Sequence, residues 1–83
     1  MSVVRIPPTL RAETGGEREV LAEGETVGDL LDNLTSRFPG LRGQLKFANV
    51  YVGGEDVRTR DGYDTAVAPS DTVILLPAMA GGS

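Results

Sequence analysis

The sequence predicts an α+β domain in which a mixed sheet of four to five strands packs on one main helix. Three observations carry this. Val27, Leu30, Leu31, Leu34 and Phe38 repeat at i, i+3, i+4, i+7 and i+11, one apolar stripe of helical period. Short segments rich in Val, Ile and Leu, bounded by Gly and Pro, flank that helix on both sides. Val73 to Leu76 is a continuous apolar run, suited to a strand covered on both faces or placed centrally.

Taken in order, Val3, Val4 and Ile6 form a first strand, stopped by Pro7-Pro8 because proline has no N–H for a ladder. Gly15-Gly16 marks a turn, and Glu19-Val20-Leu21-Ala22 returns as a second strand, suggesting a hairpin. Thr26 is a good N-cap. Asp29, three residues on, places a negative charge in the first turn, where the helix dipole favours it. Asp32, Asn33, Ser36 and Arg37 fall mostly on the wet face, and Pro39-Gly40 ends the helix. Leu41 and Leu45 cap the core from an irregular turn. Phe47 to Val52 reads as a strand, Gly53-Gly54 as a hairpin turn, and Val57-Arg58 as a short return strand. Asp61-Gly62 and Pro69-Ser70-Asp71 are turns on either side of Tyr63 to Val67, and Thr72 to Leu76 is the last strand. If the first and last strands lie side by side and parallel, this order makes a ubiquitin-like β-grasp. Residues 1–77 then form the domain and 78–83 a tail.

Composition narrows the chemistry. The chain has 83 residues, enough for one small domain but not for a deep catalytic cleft. It has no Cys and no His. That removes disulfides, thiolate nucleophiles, the usual general base near neutral pH and most zinc or transition-metal sites. The protein is therefore expected not to be an enzyme, with no metal site and no cofactor of its own. A net charge of −4 disfavours nucleic acid and anionic membranes, which need clustered Lys and Arg. Arg5, Pro7 and Pro8 interrupt the N-terminus before any apolar signal region forms, and Val73 to Leu76 is far too short to span a bilayer. The expected location is the cytoplasm.

The tail is the distinctive feature. Ala78-Met79-Ala80-Gly81-Gly82-Ser83 carries no charged side chain and one bulky one, too little to bury as a folded segment. Extended from Pro77 to Gly82, it reaches roughly 20 Å beyond the domain, at about 3.3 Å per residue. A Gly-Gly end threads a narrow channel where a larger side chain would clash, and it leaves the terminal carbonyl open to attack. On its own, Gly-Gly-Ser is also consistent with a frayed end or a cloning remnant.

Val4-Arg5-Ile6-Pro7-Pro8-Thr9-Leu10-Arg11, Thr14-Gly15-Gly16, Phe47 to Val52 with Glu55-Asp56-Val57-Arg58, and Leu76-Pro77-Ala78-Met79-Ala80-Gly81-Gly82 run nearly end to end. In these stretches the chain resembles the ubiquitin-like sulfur carriers of the ThiS/MoaD family, most closely the CysO type of actinobacteria. The resemblance implies a β-grasp fold, Gly82 as the acyl site, and Ala80 and Gly81 as the residues that thread with it. It implies adenylation of Gly82 with ATP by an E1-like enzyme of the MoeB/ThiF type. A sulfurtransferase activity then produces a thiocarboxylate. In CysO-type systems the acceptor is a cysteine synthase, and a metalloprotease frees cysteine; related carriers feed thiazole, molybdopterin or thiosugar synthesis. One departure stands out: Ser83 follows Gly82 and blocks its carboxylate, so Ser83 is expected to be trimmed or to be an added residue. The alternatives are a modifier conjugated through Gly82, a molybdopterin synthase small-subunit-like carrier, or an interaction module with an inert tail.

The remaining features weigh less. Gly15-Gly16 and Gly53-Gly54 lack the Lys-Ser or Lys-Thr of a phosphate loop. Asp61, Asp64 and Asp71 are turn carboxylates without calcium-loop spacing. Glu55, Asp56, Arg58 and Arg60 are either a solvated hairpin or a docking surface. Phe47 and Tyr51 are either core or a docking patch. If Val50 and Val52 face the helix, alternation leaves Phe47, Asn49 and Tyr51 on the other face, open to a partner. The free protein is expected to be a monomer.

Overall fold

The computed structural model describes residues 1–45 and 48–77. Strands β1 (Ser2–Arg5), β2 (Glu19–Ala22), β3 (Ala48–Val52), β4 (Glu55–Asp56) and β5 (Thr72–Pro77) form one sheet in the order β2-β1-β5-β3-β4. β1 and β5 run parallel, with Val4 opposite Val73, and every other pairing is antiparallel. This is the β-grasp arrangement that the element order allowed. β5 is central in it, and its Ile74 and Leu76 reach the side away from the core.

One helix, α1 (Val27–Arg37), covers one face. Its stripe residues Val27, Leu30, Leu31 and Leu34 join Val4, Val20, Ala22, Val50, Val52, Val73 and Leu75 of the strands in a single buried cluster, with Phe38 packed at its margin. Each fully buried Leu of this set stabilises the fold by about 1.5–3 kcal/mol relative to exposure. Leu41 and Leu45 close the cluster as expected, both buried.

The helix starts where its cap dictates. Thr26 is extended, and its Oγ1 accepts from the Asp29 N–H at 3.2 Å. The segment after Tyr63 holds this end in place: the Val27 N–H donates to the Thr65 carbonyl at 3.0 Å, and the Val67 N–H to the Glu25 carbonyl at 2.9 Å. The chain entering the helix passes very close to it. A Cβ on Gly24 would collide with the Leu30 backbone nitrogen and lie 2.6 Å from its Cα, so only glycine fits.

Two elements differ from the sequence expectation. The β1–β2 connection contains a 3-10 helix at Pro8–Thr14, which buries Leu10 and Thr14. The Thr14 hydroxyl is satisfied there, sharing its one proton between the carbonyls of Glu17 at 3.0 Å and Arg11 at 3.2 Å. The return strand is Glu55–Asp56, not Val57-Arg58. After the Gly53-Gly54 turn, whose two positive φ values suit a tight hairpin, the Asp56 carboxylate accepts from the Arg58 N–H at 2.9 Å. That local bond diverts Val57–Thr59 into a 3-10 turn.

The helix also protects an edge strand. Asn33 Oδ1 accepts from the Glu23 N–H at 3.1 Å, and Arg37 donates to the Leu21 carbonyl. Two residues expected mostly on the wet face therefore occupy outward backbone groups at the edge of β2, which would otherwise be open to strand pairing. Among the described residues, no helix is long and apolar enough to cross a membrane.

Gly24→Ala should cost about 3 kcal/mol or more in urea unfolding, because the added methyl collides with backbone and no side chain can move aside. Gly43→Ala, with no atom within 4 Å of its Cβ, should change stability by less than about 0.5 kcal/mol.

Candidate functional site

Topology decides where the tail begins. β5 leaves the sheet at Pro77, at the end where β1 also finishes and where β2 and β3 start. The Ile6 N–H donates to the Arg18 carbonyl at 2.7 Å and closes this end on one side. Ala80, Gly81, Gly82 and Ser83 lie outside the described residues, as does Phe47. Tyr51 and Arg58 lie within them.

The sheet face away from α1 carries the outward residues of every strand. Register places Tyr51 opposite Ile74 and Asn49 opposite Leu76, while Val3 stands opposite Leu21. Tyr51, Ile74 and Val3 are half-buried by their neighbours; Leu76 and Leu21 are 43% and 49% exposed. Val50 and Val52 face the helix side, so Tyr51 falls on the face that alternation assigned it. The result is an apolar strip from Tyr51 and Ile74 to Leu76 that ends at the root of the tail, with Leu21 and Val3 beyond Thr72 and Arg5 on the same face.

Arg58 sits at the margin of this strip and is already engaged. Its guanidinium forks onto the Asp56 carboxylate, with Nη2 donating at 2.7 Å and Nε at 3.1 Å to Oδ2. Arg60 pairs in turn with Glu55 at 3.2 Å. The mixed-charge patch is thus two local ion pairs, and Arg58 offers a partner its outer surface rather than an uncompensated charge. The Arg58 hydrogen bonds hold the Asp56 carboxyl below the usual aspartate range. They raise the Arg58 guanidinium in turn.

A second feature was not singled out from the sequence. An open groove of about 810 Å³ lies beside the tail root, bounded by Pro7, Pro8 and the end of β5, with Arg5, Arg11 and Arg18 on its walls. Arg11 is held there by an Nε hydrogen bond to the Ile6 carbonyl at 3.1 Å. Arg5 faces Glu19 across the β1–β2 pair at 3.7 Å. Each arginine is unremarkable in sequence, and only strand pairing collects them. The one available signal was that Arg5 and Arg18 flank the two ends of a hairpin.

The sequence pattern of the ThiS family matches residues 4–82. The sulfur carrier protein CysO of Mycobacterium tuberculosis is 40% identical over 89 residues, spanning 95% of this chain and 96% of that one. A chain in the crystal structure of the Amycolatopsis orientalis BexX/CysO complex superposes with a TM-score of 0.90 at 43% identity, covering 99% of this chain and all of its own. The small archaeal modifier protein 1 of Methanosarcina acetivorans superposes at 0.82 with 28% identity, over 98% of this chain and 95% of that one.

The Asp56 carboxyl should titrate below an ordinary aspartate, followed by carbon-detected NMR. Arg58→Ala should move its midpoint up. Because the folded value is the lower one, the stabilisation from this pair is present above the unfolded aspartate value and is lost as pH falls through the folded one. Both groups are exposed and screened, so the carboxyl resonance, not the melting temperature, is the measurement that reads it.

Proposed function

The chain belongs to the ThiS family, and from that premise we propose that it is a sulfur carrier, a protein cosubstrate whose reactive group is the Gly82 carboxylate. The observation that carries this is the join between fold and tail. A central strand, held on both sides, leads directly into Ala78-Met79-Ala80-Gly81-Gly82 beside an open apolar strip. The 40% identity to a CysO carrier across both chains supports it.

The chemistry belongs to partners. An E1-like enzyme of the MoeB/ThiF type brings the Gly82 carboxylate to the α-phosphorus of ATP. Pyrophosphate leaves and an acyl-adenylate forms. Sulfide-level sulfur then attacks the Gly82 carbonyl and expels AMP: hydrosulfide gives the thiocarboxylate directly, whereas a sulfurtransferase persulfide gives an acyl disulfide that a second thiol cleaves, leaving the thiocarboxylate and a disulfide on the donor. This chain contributes a terminus without a Cβ at either glycine, which minimises clash at the attacked carbonyl. It contributes neither base nor thiol, having no His and no Cys. The carrier then passes sulfur to a synthase of the cysteine, thiazole or thiosugar type, with a metalloprotease releasing product in the cysteine case. Ser83 must be absent from the reacting species, since its amide occupies the Gly82 carbonyl. ATP use by the partner places the cycle in the cytoplasm.

Tyr51 and Arg58, with Phe47 just before β3, are proposed to contact the activating enzyme. The related CysO in the BexX/CysO complex supports docking of this fold onto a partner protein. A second reading has its own support. The small archaeal modifier protein 3 of Haloferax volcanii is 38% identical over 64 residues, spanning 69% of this chain and 70% of that one. In that reading Gly82 is joined to lysines of target proteins.

A chain ending at Gly82, incubated with the E1-like enzyme, ATP and a sulfide source, should gain the mass of sulfur replacing oxygen. Gly82→Ala should slow loading by about 100-fold through misplacement of the carbonyl. No mass change in the Gly82-ended chain would overturn the carrier reading. A Gly-Gly remnant on target lysines would favour the modifier.

A further inference from the structure

The groove walled by Arg5, Arg11 and Arg18 has no part in the scheme above. We infer that it is an electrostatic docking site for a carboxylate-bearing segment of the protein that activates Gly82. The inference rests on the activation of Gly82 proposed above.

Reach is the first argument. Between Pro77 and Gly82 the chain can span roughly 20 Å, at about 3.3 Å per residue. The described body measures 30 × 27 × 18 Å, so an enzyme that holds an outstretched Gly82 lies nearest the tail end of the sheet. The groove is at that end, with Leu75 and Leu76 of β5 in its wall.

Charge is the second argument. The chain is acidic overall, at −4, with eight Lys and Arg in total, yet three of those eight line this one groove. Two glutamates, Glu17 and Glu19, stand against them, and Arg18 makes no ion pair among the described residues. The groove is thus a positive spot on a negative molecule. Facing carboxylates complement it, while a basic surface would be attracted to the rest of the chain and repelled here.

Order is the third argument. Arg11 is fastened to the Ile6 carbonyl, Arg5 leans on Glu19, and Pro7-Pro8 stiffens the rim. Arginines held in place lose less side-chain entropy on pairing with carboxylates than free ones.

The test uses the Gly82-ended chain and its E1-like enzyme, read by ATP–pyrophosphate exchange and, without ATP, by direct binding. Arg5→Gln/Arg18→Gln should raise KM and weaken binding by about tenfold while leaving kcat within about twofold, as expected for charges that steer and register a complex. The wild-type KM should climb with salt, and the variant's climb should be shallower. Arg42→Glu, on a hollow beside α1, shifts net charge equally and should leave KM unchanged. Arg18→Ala, whose side chain is exposed, serves if the double variant fails to fold. Unchanged KM and binding in the groove variants would overturn the inference. So would an equal effect of Arg42→Glu, which would reflect net charge alone. A faster exchange in the groove variants would also overturn it, by showing that the arginines hold this chain's own tail. Absence of exchange with the wild-type chain would instead overturn the activation of Gly82, and the binding comparison would still judge the groove.

Discussion

The parallel pairing of β1 with β5 is the constraint on which the rest depends. It joins residues about seventy positions apart, Val3 to Thr72 and Val4 to Val73, and places the last strand in the middle of the sheet. Parallel neighbours require a crossover, and here the crossover includes α1, which therefore lies across one face and buries it. The pairing also sets direction: β5 can leave the sheet only at the end where β1 finishes. The tail is thereby rooted in the central strand of the fold, paired on both sides, not at a frayed edge.

Covering one face only has a second consequence. The inner residues of all the long strands share a core with α1, while the outer ones are left as an apolar strip bordered by charge. Such a strip is tolerable on a small protein when its edges are controlled. At β2, Asn33 and Arg37 occupy outward backbone groups; beyond β4, the Asp56 carboxylate turns the chain away from further pairing. The open face can then meet a partner by side-chain contact while strand addition at the edges is discouraged.

The division of labour follows from composition. A chain without His or Cys holds neither the usual general base near neutral pH nor a thiolate, so in the proposed cycle base, nucleotide and sulfur come from partners. The glycine carboxylate proposed to react needs reach and lack of obstruction rather than a tuned environment. Similarity both to a CysO sulfur carrier and to small archaeal modifier proteins fits that proposal: the same scaffold could present a glycine terminus to a sulfur nucleophile or to an amine.

Local rules were enough to identify the helix, its Thr26 cap, the tight turn at Gly53-Gly54, the inward Val50 and Val52 and the composition of the tail. In each, the cause lies within a few residues of the effect: a side-chain period, a cap, a positive φ. The 3-10 helix at Pro8–Thr14 was hidden because it is held by burial of Leu10 in the shared core and by local bonds of Thr14, not by a period of its own. The displaced return strand was hidden because one Asp56–Arg58 bond outweighed β propensity in Val57. The edge role of Asn33 and Arg37, and the gathering of Arg5, Arg11 and Arg18, exist only once strands pair. Sequence alone determined what the tail is made of and which catalytic groups the chain lacks. Only the tertiary structure decided that the tail starts from the central strand, between an apolar strip and a positive groove, because that placement is a property of long-range strand pairing, which no local pattern encodes.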